Sequence, residues 1–168
     1  VIKNLLRYEP LHSSESARCL VDSARTEGQP YCPDNEGDLI HSLIMKHQYS
    51  RCLETGFGTG STAVYMLHAT EQFDGEIVSV DWSETNFNHL GRALLKRTDM
   101  AGRHRLIEKD SNKAIPELYL AGERFDFIFI DGWKTFDHLV FELFMINRML
   151  NPGGAIVFDD SQLLSIRR

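Results

Sequence analysis

The sequence is short of several things, and each shortage narrows what it encodes. It has three cysteines, Cys19, Cys32 and Cys52, an odd number without metal-type spacing. That argues against a disulfide framework or a zinc-binding module, and a reduced, cytoplasmic setting is the simpler reading. No apolar run approaches the about 20 residues that a membrane-spanning helix needs. The opening residues, Val1 to Tyr8, lack the apolar core of a secretory signal. They also lack an initiator methionine, so the chain is expected to be a piece of a longer one. Long basic runs are missing and the net charge is −6. A partner bound mainly through its phosphates is therefore disfavoured, and neither a nucleic acid nor a membrane is expected. Repeats, low-complexity tracts and linkers are absent as well. What remains is a chain of 168 residues, 42% apolar and 25% charged, enough for one domain with its own core.

Within that chain one stretch stands out, Arg51 to Gly60. A short apolar run ends in Glu54, and Gly56, Gly58 and Gly60 follow at alternate positions. An amphipathic segment begins at Ser61. That order predicts a strand, a glycine-rich turn and a helix N-terminus, where bare backbone and free N–H groups suit a nucleotide-like ligand. Upstream, Leu11 to Arg25 reads as a helix, Thr26 to Glu36 as a loop and Gly37 to Lys46 as a second helix. Downstream the pattern alternates. Helices are predicted over Ser61 to Thr70, Ser83 to Gly102 (capped by Ser83 or Thr85), Ser111 to Ala121 and Lys134 to Leu150. The last has Leu139, Val140, Leu143, Phe144 and Leu150 as its core anchors. Strands are predicted over Glu76 to Asp81, His104 to Glu108, Phe125 to Asp131 and Ala155 to Asp159. Asn151 to Gly154 reads as the turn before the last of them. Strands alternating with helices imply an α/β fold, a doubly wound and mostly parallel sheet, with ligands beyond the carboxyl ends of the strands.

Acids collect at those ends: Glu54, Asp81, Asp110, Asp131, and the pair Asp159 and Asp160. Any one of them could be an ordinary turn or cap residue. Asp81 follows Gly60 by 21 residues, where an acid can accept two hydrogen bonds from a ribose diol. The glycines fall as Gly-x-Gly-x-Gly, and Ser61 stands where the dinucleotide fingerprint wants Gly or Ala. Asp126 and Asp137 are expected to face solvent.

With these residues in view, the sequence resembles the class I S-adenosylmethionine-dependent methyltransferases. The matching segments are Glu54 to Gly60, Val80-Asp81, Asp110, Phe125 to Asp131 and Leu150 to Gly154. The resemblance implies that Glu54 and Gly56 border the methionine part of S-adenosyl-L-methionine, and Phe57, Gly58 and Gly60 are expected to bind the cofactor with them. It implies that Asp81 holds the ribose, Trp82 flanks the adenine, and Asp110 with Ser111 bonds it. A narrower resemblance, over Ile130 to His138 with Asp159-Asp160, is to the small-molecule O-methyltransferases of the catechol and bacterial sugar types. It implies that Asp131, Asp159 and Asp160 bind Mg²⁺ and that Lys134 is the catalytic base; His138, one turn further along the expected helix, is the other candidate. In other relatives with this pattern Asp131 binds the cofactor's amino group instead. Plainer readings stay open: Trp82 as a packing aromatic, Lys134 as a solvated helix-start residue, His138 as a packing residue.

The expected organisation is a single methyltransferase domain, with residues 1–36 as a helical cap and 37–168 as the cofactor-binding core. The family's last two strands have no counterpart in this chain. The expected activity is methyl transfer to a hydroxyl of a small molecule by in-line displacement, and a homodimer is a candidate assembly. Two alternatives remain. An NAD-dependent oxidoreductase would need a pyrophosphate site and leaves Asn151 to Gly154 unexplained. A non-catalytic S-adenosylmethionine-binding module would keep the glycines and lose the chemistry.

Overall fold

The computed structural model describes residues 14–82 and 87–159. Along the chain it forms α1 (Glu15–Ala24), α2 (Asp34–His47), β1 (Arg51–Thr55), α3 (Ser61–Thr70), β2 (Glu76–Val80) and α4 (Leu90–Leu95). These are followed by β3 (His104–Ile107), α5 (Ser111–Leu120), β4 (Phe125–Ile130), α6 (Phe136–Ile146) and β5 (Leu150–Phe158). The strands make one sheet in the order β3-β2-β1-β4-β5, and every pairing is parallel. The expected α/β architecture is therefore present. No helix among the described residues is long and apolar enough to cross a membrane, and the three cysteines are free thiols.

Strand alternation divides the core in two. Cys52, Ile77, Phe127 and Phe129 point to the face covered by α1, α2, α3 and α4. Leu53, Val78, Val80, Ile128 and Ile130 point to the face covered by α5 and α6. Both faces of the central strands are buried, so Phe125–Ile130 reads as a nearly unbroken apolar run. The chain steps outward from β1 through β2 to β3, then returns to β4 on β1's other side. The reversal opens a crevice beyond the carboxyl ends of β1 and β4.

Four elements differ from expectation. Of the helix expected over Ser83 to Gly102, the described part holds Leu90–Leu95. Asn88 and His89 take left-handed backbone just before it, with φ of 52° and 58°. After it, Thr98 Oγ1 donates to Leu95 O and accepts from Met100 N, a side chain competing with the helical ladder. The proposed caps, Ser83 and Thr85, lie outside the described residues. β5 begins at Leu150 opposite Phe125, and Ala155 pairs with Phe127. The turn residues Asn151 to Gly154 thus form a bulge within the strand rather than a loop before it.

Asp126 is not solvent-facing. It accepts from the backbone N–H of Ser50 (3.1 Å) and Arg51 (3.0 Å) and from Asn151 Nδ2 (2.8 Å). Burial alone would raise its pKa, but these bonds hold it below the usual carboxylate value. It ties β1, β4 and β5 together at the end of the sheet away from the crevice.

α6 differs in phase. It starts at Phe136, so Lys134 lies in the loop before it. Of its expected anchors, Val140, Leu143 and Phe144 are exposed by 48%, 39% and 57%. The buried residues of α6 are Glu142 and Ile146.

Candidate active site

The crevice is shaped first by backbone. Gly56 N donates to Val80 O and Asp131 N donates to Thr55 O, each at 2.9 Å, so the turn after β1 is stitched between β2 and β4. Gly56 has φ 92°, and a Cβ there would lie 2.4 Å from Asp131 O. Only glycine fits. Gly58 N donates to Asp81 Oδ2 at 2.7 Å, closing the turn onto the end of β2. Gly60, at φ 74°, starts α3. Over this turn lies the segment before α2: Thr59 Oγ1 donates to Pro30 O and Cys32 N donates to Ser61 Oγ, both at 2.8 Å.

These elements enclose a cavity of about 720 Å³. The glycine turn contributes Gly56, Phe57 and Gly58, the end of β2 contributes Asp81 and Trp82, and the start of α5 contributes Asp110 and Ser111. Asp131, Lys134, His138 and Asp159 line the other side. Two of the proposed cofactor residues do not reach the cavity. Gly60 sits behind the turn, and Glu54 points into the core. Asp160 lies outside the described residues.

Glu54 is fully buried and accepts from Ser79 Oγ at 2.5 Å, while His104 Nε2 lies 2.6 Å from the same hydroxyl. Its other oxygen is buried without a hydrogen-bond partner among the described residues. Burial pushes the Glu54 pKa to about 8 and the His104 pKa down to about 4. Asp110 caps α5, accepting from Asn112 N at 2.8 Å.

On the far side, Lys134 Nζ donates to Asp131 Oδ1 and stands 3.7 Å from Asp159 Oδ2. Burial raises the Asp131 pKa to about 7, with Asp159 adding to the rise and Lys134 opposing it. Among the described residues no three His, Cys, Asp or Glu side chains gather as a metal site. Asp131 and Asp159 already share one cation, the Lys134 ammonium. Asp160, the third residue of the expected Mg²⁺ set, lies outside the described residues, and the Lys134 ammonium occupies the place between the other two.

The cavity also holds residues that motif reading missed. Pro30, Tyr31, Cys32, Pro33 and Glu36 form one wall, and Trp133, 58% exposed, lines another. The wall before α2 could not be read from spacing because it reaches the site only through its bonds to Thr59 and Ser61. Trp133 carried a signal, a large aromatic beside a strand-end acid.

Residues 53–161 match the family described as "Methyltransferase domain". A curated relative, the O-methyltransferase hkm8 of Aspergillus hancockii, is 23% identical over 157 residues, covering 92% of this chain and 61% of its own length. The chain thus spans about three fifths of that relative. The O-methyltransferase TomG of Streptomyces achromogenes, solved with SAM, superposes with a TM-score of 0.69 at 22% identity. That match covers 88% of this chain and 66% of TomG. An O-methyltransferase from Bacillus cereus, solved with SAH, gives a TM-score of 0.70 at 18% identity, covering 88% of this chain and 67% of that one. These likenesses show a shared fold, and the family match extends from β1 to beyond β5. The chain belongs to the methyltransferase-domain family.

Proposed function

We propose that the chain binds S-adenosylmethionine in the 720 Å³ cavity and directs its methyl group to a hydroxyl of a small acceptor. The named relatives are O-methyltransferases, and the donor set fits the cofactor. Bare backbone at Gly56 and Gly58 admits a ligand closely, Asp81 stands at the end of β2 where a ribose would lie, and Trp82, 63% exposed, offers a flat apolar flank. When bound, the cofactor supplies an electrophilic methyl on a sulfonium.

The protein's own task is to hold an acceptor oxygen about 3–3.5 Å from that methyl and to remove its proton. The observation that carries the reading is the Asp131–Lys134–Asp159 group facing the glycine turn across the cavity. Lys134 stands between two acidic side chains, Asp131 and Asp159. Lys134 is therefore assigned as the donor that steadies the acceptor oxygen as negative charge grows, and Asp131, poised near 7, as the group that takes the proton. This redistributes the base role that resemblance alone placed on Lys134. Lys134 supplies the positive charge beside the acceptor oxygen.

Pro30 and Tyr31 on one wall and Trp133 on another suit a small ring, and Glu36, Asp131 and Asp159 around it disfavour an anionic acceptor. The test uses calorimetric binding of S-adenosylhomocysteine and turnover on a panel of neutral phenols, catechols and sugars. Lys134→Met is expected to lower kcat by about 10²- to 10⁴-fold while cofactor binding stays near wild type. A chelator is expected to leave turnover unchanged. Stabilisation by NAD instead of S-adenosylhomocysteine would sink the reading.

A further inference from the structure

The departure of α6 from its apolar pattern points to a residue that the chemistry above does not use. Val140, Leu143 and Phe144 are turned outward, while the stripe His138, Glu142 and Ile146 faces the sheet. Glu142 is 1% exposed. Carboxyls are almost never fully buried unless they are paired, so a buried one on a helix calls for a physical reason.

Both oxygens of Glu142 are engaged. Oε2 accepts from Thr55 Oγ1 at 3.2 Å, and Oε1 lies 3.1 Å from His138 Nε2. Thr55 is the last residue of β1, immediately before Gly56. A Cβ at Gly132 would come 3.2 Å from Thr55 Oγ1 and 3.5 Å from Glu142 Oε1, so the Asp131–Lys134 loop passes close to the same pair. His138 extends the connection. Its Nε2 lies 2.7 Å from Ser111 Oγ, and its Nδ1 lies 3.3 Å from Asn112 Nδ2. The tautomer that satisfies all three contacts carries its proton on Nε2, shared between Glu142 and Ser111, and accepts from Asn112 at Nδ1. Both ring nitrogens are then occupied within the protein.

We propose that Glu142 is a positioning residue, one buried carboxyl that sets the glycine turn, the Lys134 loop and the start of α5 in a common register. His138 is its arm to α5, and neither residue takes the acceptor's proton. Glu142 acts through Thr55 on the turn that would hold the cofactor's methionine side. It acts through His138 on Ser111, on the adenine side. The inference rests on the methyltransferase reading for what the cavity binds, but not for the network itself.

The experiment compares Glu142→Gln with Glu142→Leu in the full chain. Glutamine can keep both contacts, its amide oxygen on His138 Nε2–H and its amide N–H on Thr55 Oγ1. Leucine fills similar space and makes neither. S-adenosylhomocysteine affinity is measured by calorimetry, and the setting of the loop by Trp133 emission in a Trp82→Phe background. Glu142→Gln is expected to stay within about twofold of wild type, and Glu142→Leu to bind about tenfold more weakly with a shifted Trp133 emission. Equal affinity and equal emission in the two variants would overturn the proposal. Should Glu142→Leu not fold, Thr55→Val and His138→Leu each remove one arm, and both are expected to shift Trp133 emission. No shift in either overturns the proposal equally. Failure of the wild-type chain to bind S-adenosylhomocysteine would count against the methyltransferase reading alone, because the emission comparison needs no ligand.

Discussion

On the glycine side of the cavity, backbone does the holding. Gly56 N is fixed on Val80 O, Gly58 N on Asp81, and Asp131 N on Thr55 O. On the Lys134 side, ionisable side chains line the cavity: Asp131, Lys134 and Asp159 share charge within one small cluster. A backbone site is rigid and insensitive to pH, which suits holding one invariant ligand. A side-chain cluster can change protonation, which suits moving a proton. Under the proposed function, the contrast teaches that holding the donor and activating the acceptor would sit on different kinds of chemistry about one sheet reversal. Glu142 is buried beside both, bonded to Thr55 before the glycine turn and close to Gly132 in the other loop.

The contrast can be broken first at Gly56. Gly56→Ala places a Cβ 2.4 Å from Asp131 O at φ 92°. The left-handed strain alone is about 1–3 kcal/mol, and the clash adds to it. S-adenosylhomocysteine binding is expected to weaken by more than about 100-fold in calorimetry. Binding close to wild type would show that the turn is not a rigid cradle.

A smaller effect sharpens the other side. If Asp131 takes the acceptor's proton, kcat/KM rises with pH through about 7 and levels off above it, because only the carboxylate form accepts. Asp131→Asn is expected to remove that inflection and lower the rate by about 10²-fold or more. A pH profile with the same inflection in the variant would move the base elsewhere.

The smallest effect separates a titrating group behind the glycine turn from those in front of it. The folded pKa of Glu54, about 8, lies above its ordinary 4.5, so the folded state keeps a proton that the unfolded chain releases. That contribution to stability is complete in acid and is lost as pH rises toward about 8. His104 works the opposite way, since its folded pKa of about 4 lies below its ordinary 6.5 and stability is gained as pH rises between them. The two offset one another between 4.5 and 6.5; above 6.5 the Glu54 contribution continues to about 8, with Asp131 adding to the slope up to about 7. Asp131 contributes the same slope to wild type and variant. In scanning calorimetry at the ends of that upper window, Glu54→Gln is expected to lose less Tm than wild type, by a few degrees, on the order of 1 kcal/mol. Parallel slopes would mean that Glu54 is ionised in the fold.

Much of this molecule was legible in the chain. Strand periodicity in Glu76–Val80 and Phe125–Ile130, the glycine spacing after Glu54 and the alternation of elements were enough for a parallel sheet with a site at its carboxyl edge. These signals are local: each depends on the chemistry of a few neighbouring residues, and a strand or a glycine turn uses the same chemistry wherever it stands. Glu54 was legible as a strand-end acid, yet its duty was not. Strand parity sends its side chain toward the face carrying Ile77 and Phe127, and only the neighbouring strand put Ser79 beside it.

The sequence by itself determined the order of the elements and which of their ends carry acids and glycines. The tertiary structure alone decided the rest. It brought Pro30 to Pro33 over the turn, laid the Lys134 ammonium between Asp131 and Asp159, and turned α6 so that Glu142 is buried and Phe144 exposed. Those outcomes depend on contacts between residues dozens of positions apart, such as Thr55 with Glu142 and Ser111 with His138. Periodicity carries no information about such pairs, because the rotation of a helix about its axis is set by what it packs against.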